Sequence, residues 1–260
     1  MRLVKSLLQR CTEVMHRLAA GPAGVTELAG ALDMPKSATH RLLQELVRLH
    51  WVDHLADGRY AASLHFALLG RDVLRHAGVS ETIQPLLDGL AQDLRELVRL
   101  TIADRGGLSW LASAQGAPSG LMYQPEMSGS LVLHATANGK AFLASHDDAT
   151  ALRLAGDALG TIRPTANSIA TPAALTRELA RVRSTGYAIA DEEAEPGVVA
   201  VAVAIRPSAG PATGTLSVAG PKVRLPAARF AALAASLARV AAILATIPPY
   251  EAQETACASS

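Results

Sequence analysis

The sequence predicts an α+β fold in two parts, and three observations carry this prediction. Three helical patterns and a short hairpin fill residues 4–61, two groups of strand-like runs lie between residues 98 and 219, and helical patterns separate and follow those strands. Of the 260 residues, 50% are apolar and 18% are charged, so the chain can bury a sizeable core. A disordered chain and a small disulfide-stapled scaffold are therefore excluded.

The first part begins with three short helices. Apolar residues step by four and three from Val4 to Leu18, which predicts one buried helical face. A turn rich in Gly and Pro ends this helix, and Thr26 is a candidate N-cap for a second helix of barely two turns. Pro35 suits the first position of a third helix, which runs to about Leu49.

A hairpin and a fourth helix complete the first part. Two strand-like runs are joined through Asp57-Gly58, which strongly indicates a hairpin. Three helices followed by a hairpin outline a winged helix-turn-helix. The predicted divisions of the chain are a winged helix-turn-helix at residues 1–62, a linker helix at 63–79, a second domain at 80–248 and a disordered tail at 249–260.

The second domain is predicted to combine a sheet with helices on its faces. Its first helix starts near Glu81 and its last runs from Phe230 to Ile247. The predicted strands are 98–103, 108–112, 187–190, 198–205 and 214–219, with weaker candidates at 121–123 and 131–133. The predicted helices between them are 139–144, 149–155 and 171–185, and Gly186 is expected to close the last of these as a left-handed cap.

Charge and cysteine usage narrow the class of protein. The net charge of +1 divides into +3 for residues 1–75, with ten Lys/Arg against seven Asp/Glu, and −2 for residues 76–260, with fourteen against sixteen. The first part is thus the candidate for a polyanionic partner.

Cys11 and Cys257 lie near opposite ends, which favours a reduced, cytoplasmic setting without a zinc site. No apolar run is long enough for a membrane span, and the N-terminus lacks the apolar core of a secretion signal.

Four segments together carry a family resemblance. They are Pro35–Leu43, His134–Ala144, Gly186–Gly197 and Val218–Pro221. In this order and spacing, the sequence resembles the IclR family of bacterial transcriptional regulators. The resemblance implies an N-terminal winged helix-turn-helix, a linker helix and a C-terminal GAF-like effector-binding domain. It also implies a homodimer or dimer of dimers on double-stranded operator DNA of pseudo-palindromic sequence, with DNA binding modulated by a small-molecule effector.

The candidate DNA contacts crowd the first two turns of the third helix. Short polar and basic side chains there can meet base edges and phosphates in the major groove, and Arg59 at the hairpin tip can reach phosphate or the minor groove. A solvated helix face and an ordinary exposed turn arginine are the alternatives. The candidates are Lys36, Ser37, Thr39, His40, Arg41 and Arg59.

The resemblance also implies an effector pocket with a mostly apolar lining. Family members that bind very small keto acids carry an Asp where this chain has Ala190 and a Cys where it has Ala200. The effector is therefore expected to be larger and less polar, an aromatic or medium-chain carboxylic acid whose carboxylate meets N–H groups near Asn138. Helix capping by Thr136 or Asn138 is the alternative for that helix start. The implied lining residues are Met122, Leu131, Ala137, Asn138, Asp191, Val198 and Ala200.

Nothing in the sequence indicates an enzyme, a metal site or a cofactor. Gly139-Lys140 lacks the rest of a phosphate-binding loop, and no nucleophile is spaced with a base. The acidic cluster Asp191, Glu192, Glu193 and Glu195 is interpreted as a solvated loop, and His134 as a structural hydrogen-bonding residue. The alternative function is a GAF-like small-molecule sensor that acts through protein partners without specific DNA binding.

Overall fold

The computed structural model describes residues 6–76, 78–104, 107–125, 131–207 and 210–247. The chain divides into two compact units, Met1–His76 and Ala77–Ser260, called here the first and the second unit. The contacts group the fourth helix with the first unit, so a separate linker at 63–79 stays a prediction. The predicted tail at 249–260 lies outside the described residues.

The first unit consists of four helices and a two-stranded antiparallel hairpin. Ser6 starts the first helix with a capping box, because its hydroxyl accepts from the Gln9 N–H while the Gln9 side chain accepts from the Ser6 N–H. The elements are α1 (Leu7–Ala19), α2 (Val25–Leu32), α3 (Lys36–Arg48), β1 (Val52–His54), β2 (Tyr60–Ala62) and α4 (Leu64–His76). The predicted start of α2 is wrong by two residues, since Gly24 rather than Thr26 is its N-cap.

One apolar core holds α1, α2, α3 and the hairpin together. Val14, Leu28 and Leu43 are fully buried in it, one from each of these helices. Tyr60 of β2 is also buried there and pairs with Ala23 through two backbone hydrogen bonds of 2.9 Å. The predicted stripe of α1 is shorter than expected, because Leu8 is 79% exposed and only Met15 and Leu18 of its described members are buried.

Helix α4 buries little of its apolar surface. It contains no buried residue, and its packing against the rest of the first unit is through Phe66, whose ring lies 5.4 Å from the ring of Trp51. Leu69, Val73 and Leu74 are exposed. An apolar helix face left open in this way points to a partner surface.

The second unit is built on a five-stranded antiparallel sheet with strand order β4-β3-β7-β6-β5. A π-helical turn at Val79–Ile83 precedes its first α-helix. The elements are α5 (Gln84–Leu94), β3 (Leu97–Asp104), β4 (Gly107–Gln115), α6 (Ala137–Leu143), α7 (Asp148–Ala155), α8 (Ala158–Thr161), α9 (Pro172–Thr185), β5 (Ala188–Asp191), β6 (Val198–Ile205), β7 (Gly214–Pro221) and α10 (Phe230–Leu244).

Side-chain size differs between the two faces of this sheet. Along β6 the odd-numbered residues from Val199 to Ile205 pack in one core with α5 and α10, whereas Ala200 and Ala202 pack in another with α6 and α9. The small alanine side chains allow the short helix α6 to lie close to the strands. Because helices cover both faces of the sheet, the sequence of β6 is a continuous apolar run.

Three further expectations concern the second unit. Gly186 adopts φ of 83° at the end of α9, which confirms the predicted left-handed cap. The weak strands predicted at 121–123 and 131–133 are wrong, because these residues form turns and irregular chain. The carbonyls of Leu121 and Tyr123 accept hydrogen bonds from the side chains of Arg224 and Gln115 instead of joining a strand ladder.

Residues 227–244 are the one described stretch of helix long and apolar enough to cross a membrane by length and composition. Phe230, Leu233 and Leu237 on one side of this stretch are buried in the core against the sheet. Such packing is typical of a core helix in a globular domain.

Candidate functional site

Four of the predicted DNA contacts share one exposed surface at the start of α3. Lys36, Ser37, His40 and Arg41 are exposed and, with Val25 of α2, line a groove of about 470 Å³. Within the described part of the chain, neither Lys36 nor Arg41 forms an ion pair. Their charges therefore remain available to an anionic partner.

Thr39 does not belong to this surface. Its side chain is fully buried and its hydroxyl donates to the Pro35 carbonyl at 3.2 Å. The interpretation of Thr39 as a DNA contact is corrected accordingly. A helix that packs one side in a core must turn some residues of its first turns inward, and Thr39 lies on the same side as Leu42 and Leu43.

Arg59 lies at the hairpin tip as predicted, but it has a partner there. Its Nε is 2.8 Å from Oδ2 of Asp57, and its backbone N–H donates to Oδ1 of the same carboxylate. The backbone hydrogen bond, together with the guanidinium, holds the pKa of Asp57 below its ordinary value. A phosphate would have to compete with Asp57 for this arginine.

A small internal cavity lies in the second unit, where α6 begins beside the sheet. Its volume is about 20 Å³, which is room for one water molecule. Four predicted effector residues line it, namely Ala137, Asn138, Val198 and Ala200. The further lining residues, which were not in the predicted set, are Arg99, Tyr123, Thr136, Ala190, Ala194 and Glu195.

Three predicted effector residues lie outside this lining. Met122 is 45% exposed, and Leu131 packs beside a separate buried cluster that contains Leu108 and Phe142. Asp191 is exposed and its carboxylate lies 2.8 Å from Nζ of Lys222. The assignment of these three side chains to the pocket is therefore corrected.

The start of α6 is held by two hydrogen bonds. The Thr136 hydroxyl accepts from the Gly139 N–H at 3.1 Å, so the capping alternative is correct for Thr136. The Asn138 side chain donates to Oγ1 of Thr215 at 2.9 Å. Gly139 is required here because a Cβ atom at this position would lie 2.2 Å from the Leu133 carbonyl oxygen.

Arg99 is the charged residue of the cavity whose burial is most complete. It lies on β3 and is only 8% exposed. Its guanidinium lies over the Trp110 ring, 4.3 Å from the ring centroid, and 5.7 Å from that of Tyr123. Burial lowers the pKa of Arg99, and Tyr123 and Glu195 oppose this shift. Burial also raises the pKa of Tyr123 to about 12.

The acidic loop beside the cavity is less solvated than predicted. Nζ of Lys140, which is 1% exposed, lies 2.6 Å from Glu193 and 3.1 Å from Glu178. Glu178 also binds Arg181 at 2.8 Å. Burial raises the pKa of Glu193 despite Lys140, whereas for Glu178 the bonds from Arg181 and Lys140 outweigh burial and lower the pKa. The interpretation as a solvated loop is wrong for Glu193.

The remaining polar candidates have structural partners. Nε2 of the buried His134 lies 2.9 Å from the Ile162 carbonyl oxygen, which agrees with its predicted hydrogen-bonding role. No group of three or more His, Cys, Asp or Glu residues among those described could hold a metal ion.

One chain thus combines a helix-turn-helix that has an exposed basic helix with an α+β unit that has a small internal cavity. This combination defines a ligand-responsive DNA-binding regulator. The IclR helix-turn-helix domain matches residues 7–56, and the C-terminal domain of bacterial IclR transcriptional regulators matches residues 71–245. The second match spans more than half of the chain. The chain therefore belongs to the IclR family of bacterial transcriptional regulators, as its resemblance predicted.

Individual relatives agree with this assignment. The acetate operon repressor of Salmonella typhimurium is 29% identical over 85% of this chain and 81% of its own length. An IclR transcriptional regulator from Alicyclobacillus acidocaldarius shares the fold, with a TM-score of 0.82 at 22% identity over 93% of this chain and 98% of that one. An IclR homologue from Microbacterium hydrocarbonoxydans, solved with 4-hydroxybenzoate, has a TM-score of 0.72 at 23% identity over 91% and 96%.

Proposed function

We propose that this regulator binds a pseudo-palindromic operator as a symmetric oligomer and that an organic acid in the second unit changes that binding. The observation that carries the first part is the division of α3 into two faces. Leu42, Leu43 and Leu46 lie in the core, whereas the opposite face of its first turns exposes unpaired cations. Such a helix can enter a major groove with its N-terminal residues against base edges and phosphates.

Each of the four exposed residues at the start of α3 has a proposed role. Arg41 can bind a base edge through two hydrogen bonds, and Lys36 at the helix start can meet a phosphate. Ser37 and His40 lie between them and supply shorter polar contacts. Arg59 adds a phosphate or minor-groove contact once it leaves Asp57.

The effector site is proposed at the cavity beside α6. A drug-sized ligand needs roughly 300–1,000 Å³, far more than the cavity offers, so binding must displace its lining residues. That requirement supplies a physical reason for regulation, because a ligand that binds only an expanded cavity shifts the protein toward that conformation. The 4-hydroxybenzoate bound by the Microbacterium hydrocarbonoxydans homologue supports an aromatic or other organic acid.

We infer that the first unit contributes to a dimer. Its surface contains an apolar groove of about 410 Å³ in which α1 side chains face Trp51 and Phe66. Leu69, Val73 and Leu74 of α4 are also exposed. Burial of these side chains against a second copy would place two α3 helices for the two half-sites of an operator. A dimer of dimers would extend the same arrangement, and operator binding implies a cytoplasmic protein.

The proposal is tested by fluorescence anisotropy on DNA from upstream of the protein's own gene, with unrelated DNA as competitor. The double variant Lys36→Ala/Arg41→Ala should lose the preference for upstream DNA. Arg48→Ala is the matched control, because Arg48 is an exposed cation in the last turn of α3 that already pairs with Glu45 at 2.8 Å. Equal operator affinity of the double variant and the wild type at fixed moderate salt would contradict the assignment of α3. Addition of benzoate or 4-hydroxybenzoate should change the wild-type affinity, and indifference to all organic acids would contradict the effector class.

A further inference from the structure

Arg99 is a buried cation that the protein leaves incompletely paired. Its Nε has no hydrogen-bond partner, and its side chain forms no ion pair with any carboxylate in the described ranges. Lys140, a second buried cation of this unit, lies against two glutamates. A buried charge is costly unless it is paired and hydrogen-bonded, so the difference between these two side chains needs a reason.

The location of Arg99 in the sheet explains how it reaches the cavity. Along β3, Val98 and Leu100 point into the core shared with α5 and α10. Arg99 lies between them and so points to the opposite face, where Thr136, Ala137 and Asn138 line the cavity with it. Trp110 comes from the neighbouring strand β4, which pairs with β3 across an irregular register at Leu100 and Thr101. The guanidinium is therefore fixed at the cavity wall by a rigid element.

The aromatic neighbours stabilise the charge without satisfying its donors. A ring face attracts the guanidinium but accepts none of its five N–H groups in the plane of the fork. Tyr123 offers one hydroxyl, and Glu195 lies close enough for its charge to raise the pKa of Arg99. Glu195 lines the same cavity but lies at an exposed loop position and forms no ion pair with Arg99, so its charge offsets that of the guanidinium only in part.

The rest of the lining defines the partner that fits this guanidinium. Ala137, Ala190, Val198 and Ala200 present only apolar side chains to the cavity. A planar guanidinium matches a carboxylate through two parallel hydrogen bonds, which an ammonium group cannot form. The complementary molecule has one carboxylate and an apolar body.

We propose that Arg99 binds the carboxylate of an organic-acid effector and that the ligand supplies the direct counter-charge that Glu195 does not. This inference rests on the proposed effector site and names its anchoring residue. Asn138 is the weaker candidate for that role, because its side-chain N–H already donates to Thr215. The negative charge of the acid would also repel the carboxylate of Glu195, which lies in the loop between β5 and β6, and would thereby couple occupancy to the position of that loop.

The experiment compares two acids with their neutral amides, benzoate with benzamide and hexanoate with hexanamide. The full-length chain carries Trp51→Phe, so that Trp110 is its single tryptophan and its fluorescence reports on the cavity. Calorimetric titration provides a second measurement of the same affinities. The variants are Arg99→Gln, Arg99→Lys and Glu195→Gln, with Glu192→Gln as the matched control because Glu192 lies in the same loop but pairs with Lys222.

In the unmodified site, the acids should bind at least about 30-fold more tightly than the amides. Arg99→Gln should abolish this preference by weakening the acids alone, and Arg99→Lys should restore part of it. Glu195→Gln should tighten acid binding by about 3- to 10-fold because a competing negative charge is removed. Glu192→Gln should leave both affinities unchanged.

Two failures can be distinguished. If no organic acid binds the wild type, the proposed effector class is wrong, and the proposed role of Arg99 is wrong as well. If acids bind but Arg99→Gln keeps the full preference over the amides, the effector site stands and the assignment of Arg99 is overturned. If Arg99→Gln does not fold, the variant at the exposed Glu195 position decides. Unchanged or weaker acid binding in Glu195→Gln overturns the placement of the acid's carboxylate beside Arg99 and Glu195.

Discussion

The buried lysine of the second unit offers a sharp test of what holds the acidic loop beside the cavity. Lys140→Met replaces the cation by an apolar side chain of similar length. Glu193, whose side chain is 13% exposed, then loses its 2.6 Å partner, while Glu178 keeps Arg181. Removal of one member of a buried ion pair typically costs about 3–5 kcal/mol. We expect about 3 kcal/mol, at the low end, because neither glutamate is completely buried.

The predicted cost depends on pH with a definite sign. Burial already raises the pKa of Glu193 and Lys140 opposes that shift, so loss of the lysine raises this pKa further. Between its unfolded and its raised folded pKa, the folded state binds more protons than the unfolded state, and stability therefore increases as pH falls. In the wild type, Lys140 contributes to the lowered pKa of Glu178. The stability that this lowered pKa provides is lost as pH falls. The shift of Glu193 therefore makes the deficit of the variant smaller at pH 5 than at pH 7. The contribution of Glu178 is lost mainly below its ordinary pKa of 4.5 and changes little in this range.

The measurement is urea unfolding at both pH values, followed by Trp110 fluorescence in the Trp51→Phe background. Lys222→Met is the matched control, because Lys222 pairs with Asp191 and Glu192 of the same loop but is 47% exposed; its effect should be within experimental error. Lys140→Met/Glu193→Gln should recover most of the lost stability. A deficit that is the same at pH 5 and pH 7, or a double variant as unstable as the single one, would refute this reasoning.

Three further predictions concern DNA binding, assembly and the start of α6. Lys36→Ala should weaken binding to all DNA sequences and reduce the slope of log affinity against log salt concentration by about 0.9. Arg41→Ala should reduce the free energy of binding by about 1–3 kcal/mol on the operator alone. Titrations at several salt concentrations separate these two effects. Leu69→Gln should weaken the dimer in sedimentation experiments while the polar-face control Arg71→Gln does not, and equal masses would contradict an interface on α4. Gly139→Ala should destabilise the second unit by about 1–3 kcal/mol because its Cβ meets the Leu133 backbone, whereas Gly89→Ala in α5, with nothing within 4 Å, should be neutral or stabilising in the same urea assay.

Local signals made most of the first unit predictable. The inner faces of its helices follow the 3.6-residue period, and Asp57-Gly58 marks the hairpin turn without help from distant residues. The errors have the same origin. Periodicity alone included Leu8 in the buried stripe of α1, although the structure leaves this side chain exposed. For Thr39 the same period predicts the inner face, three residues before Leu42, and only the polar character of its side chain favoured the DNA surface.

In the second unit, long strands were more predictable than short ones. β6 was recognisable as eight consecutive apolar residues, whereas triplets such as 121–123 resemble strands without having a strand partner. The pairing of Lys140 with Glu178 and Glu193 spans 38 and 53 residues, respectively. No pattern within one helix or strand indicates such a pair, because tertiary folding alone brings these elements together.

Arg99 shows where a sequence signal existed and was not used. A single charged residue within the apolar strand Leu97–Ile102 is unusual, since a strand covered on both faces has no water for a guanidinium. Sequence alone could not supply its neighbours, because Trp110 reaches it through the β3–β4 register and Tyr123 through an irregular segment.

The small size of the cavity and the residues that close it together favour regulation by expansion of the cavity. A cavity that already held open space would accept an acid with little change in the surrounding chain. Binding would then cause little conformational change in the rest of the protein. Here the space is about 20 Å³, and Tyr123, Ala194 and Glu195 on two irregular segments close it against a rigid strand that carries Arg99. Because the strand cannot yield easily, an entering acid must move those segments. On the proposed role of Arg99, the difference in acid affinity between the expanded and the closed cavity sets how far the equilibrium between them can shift.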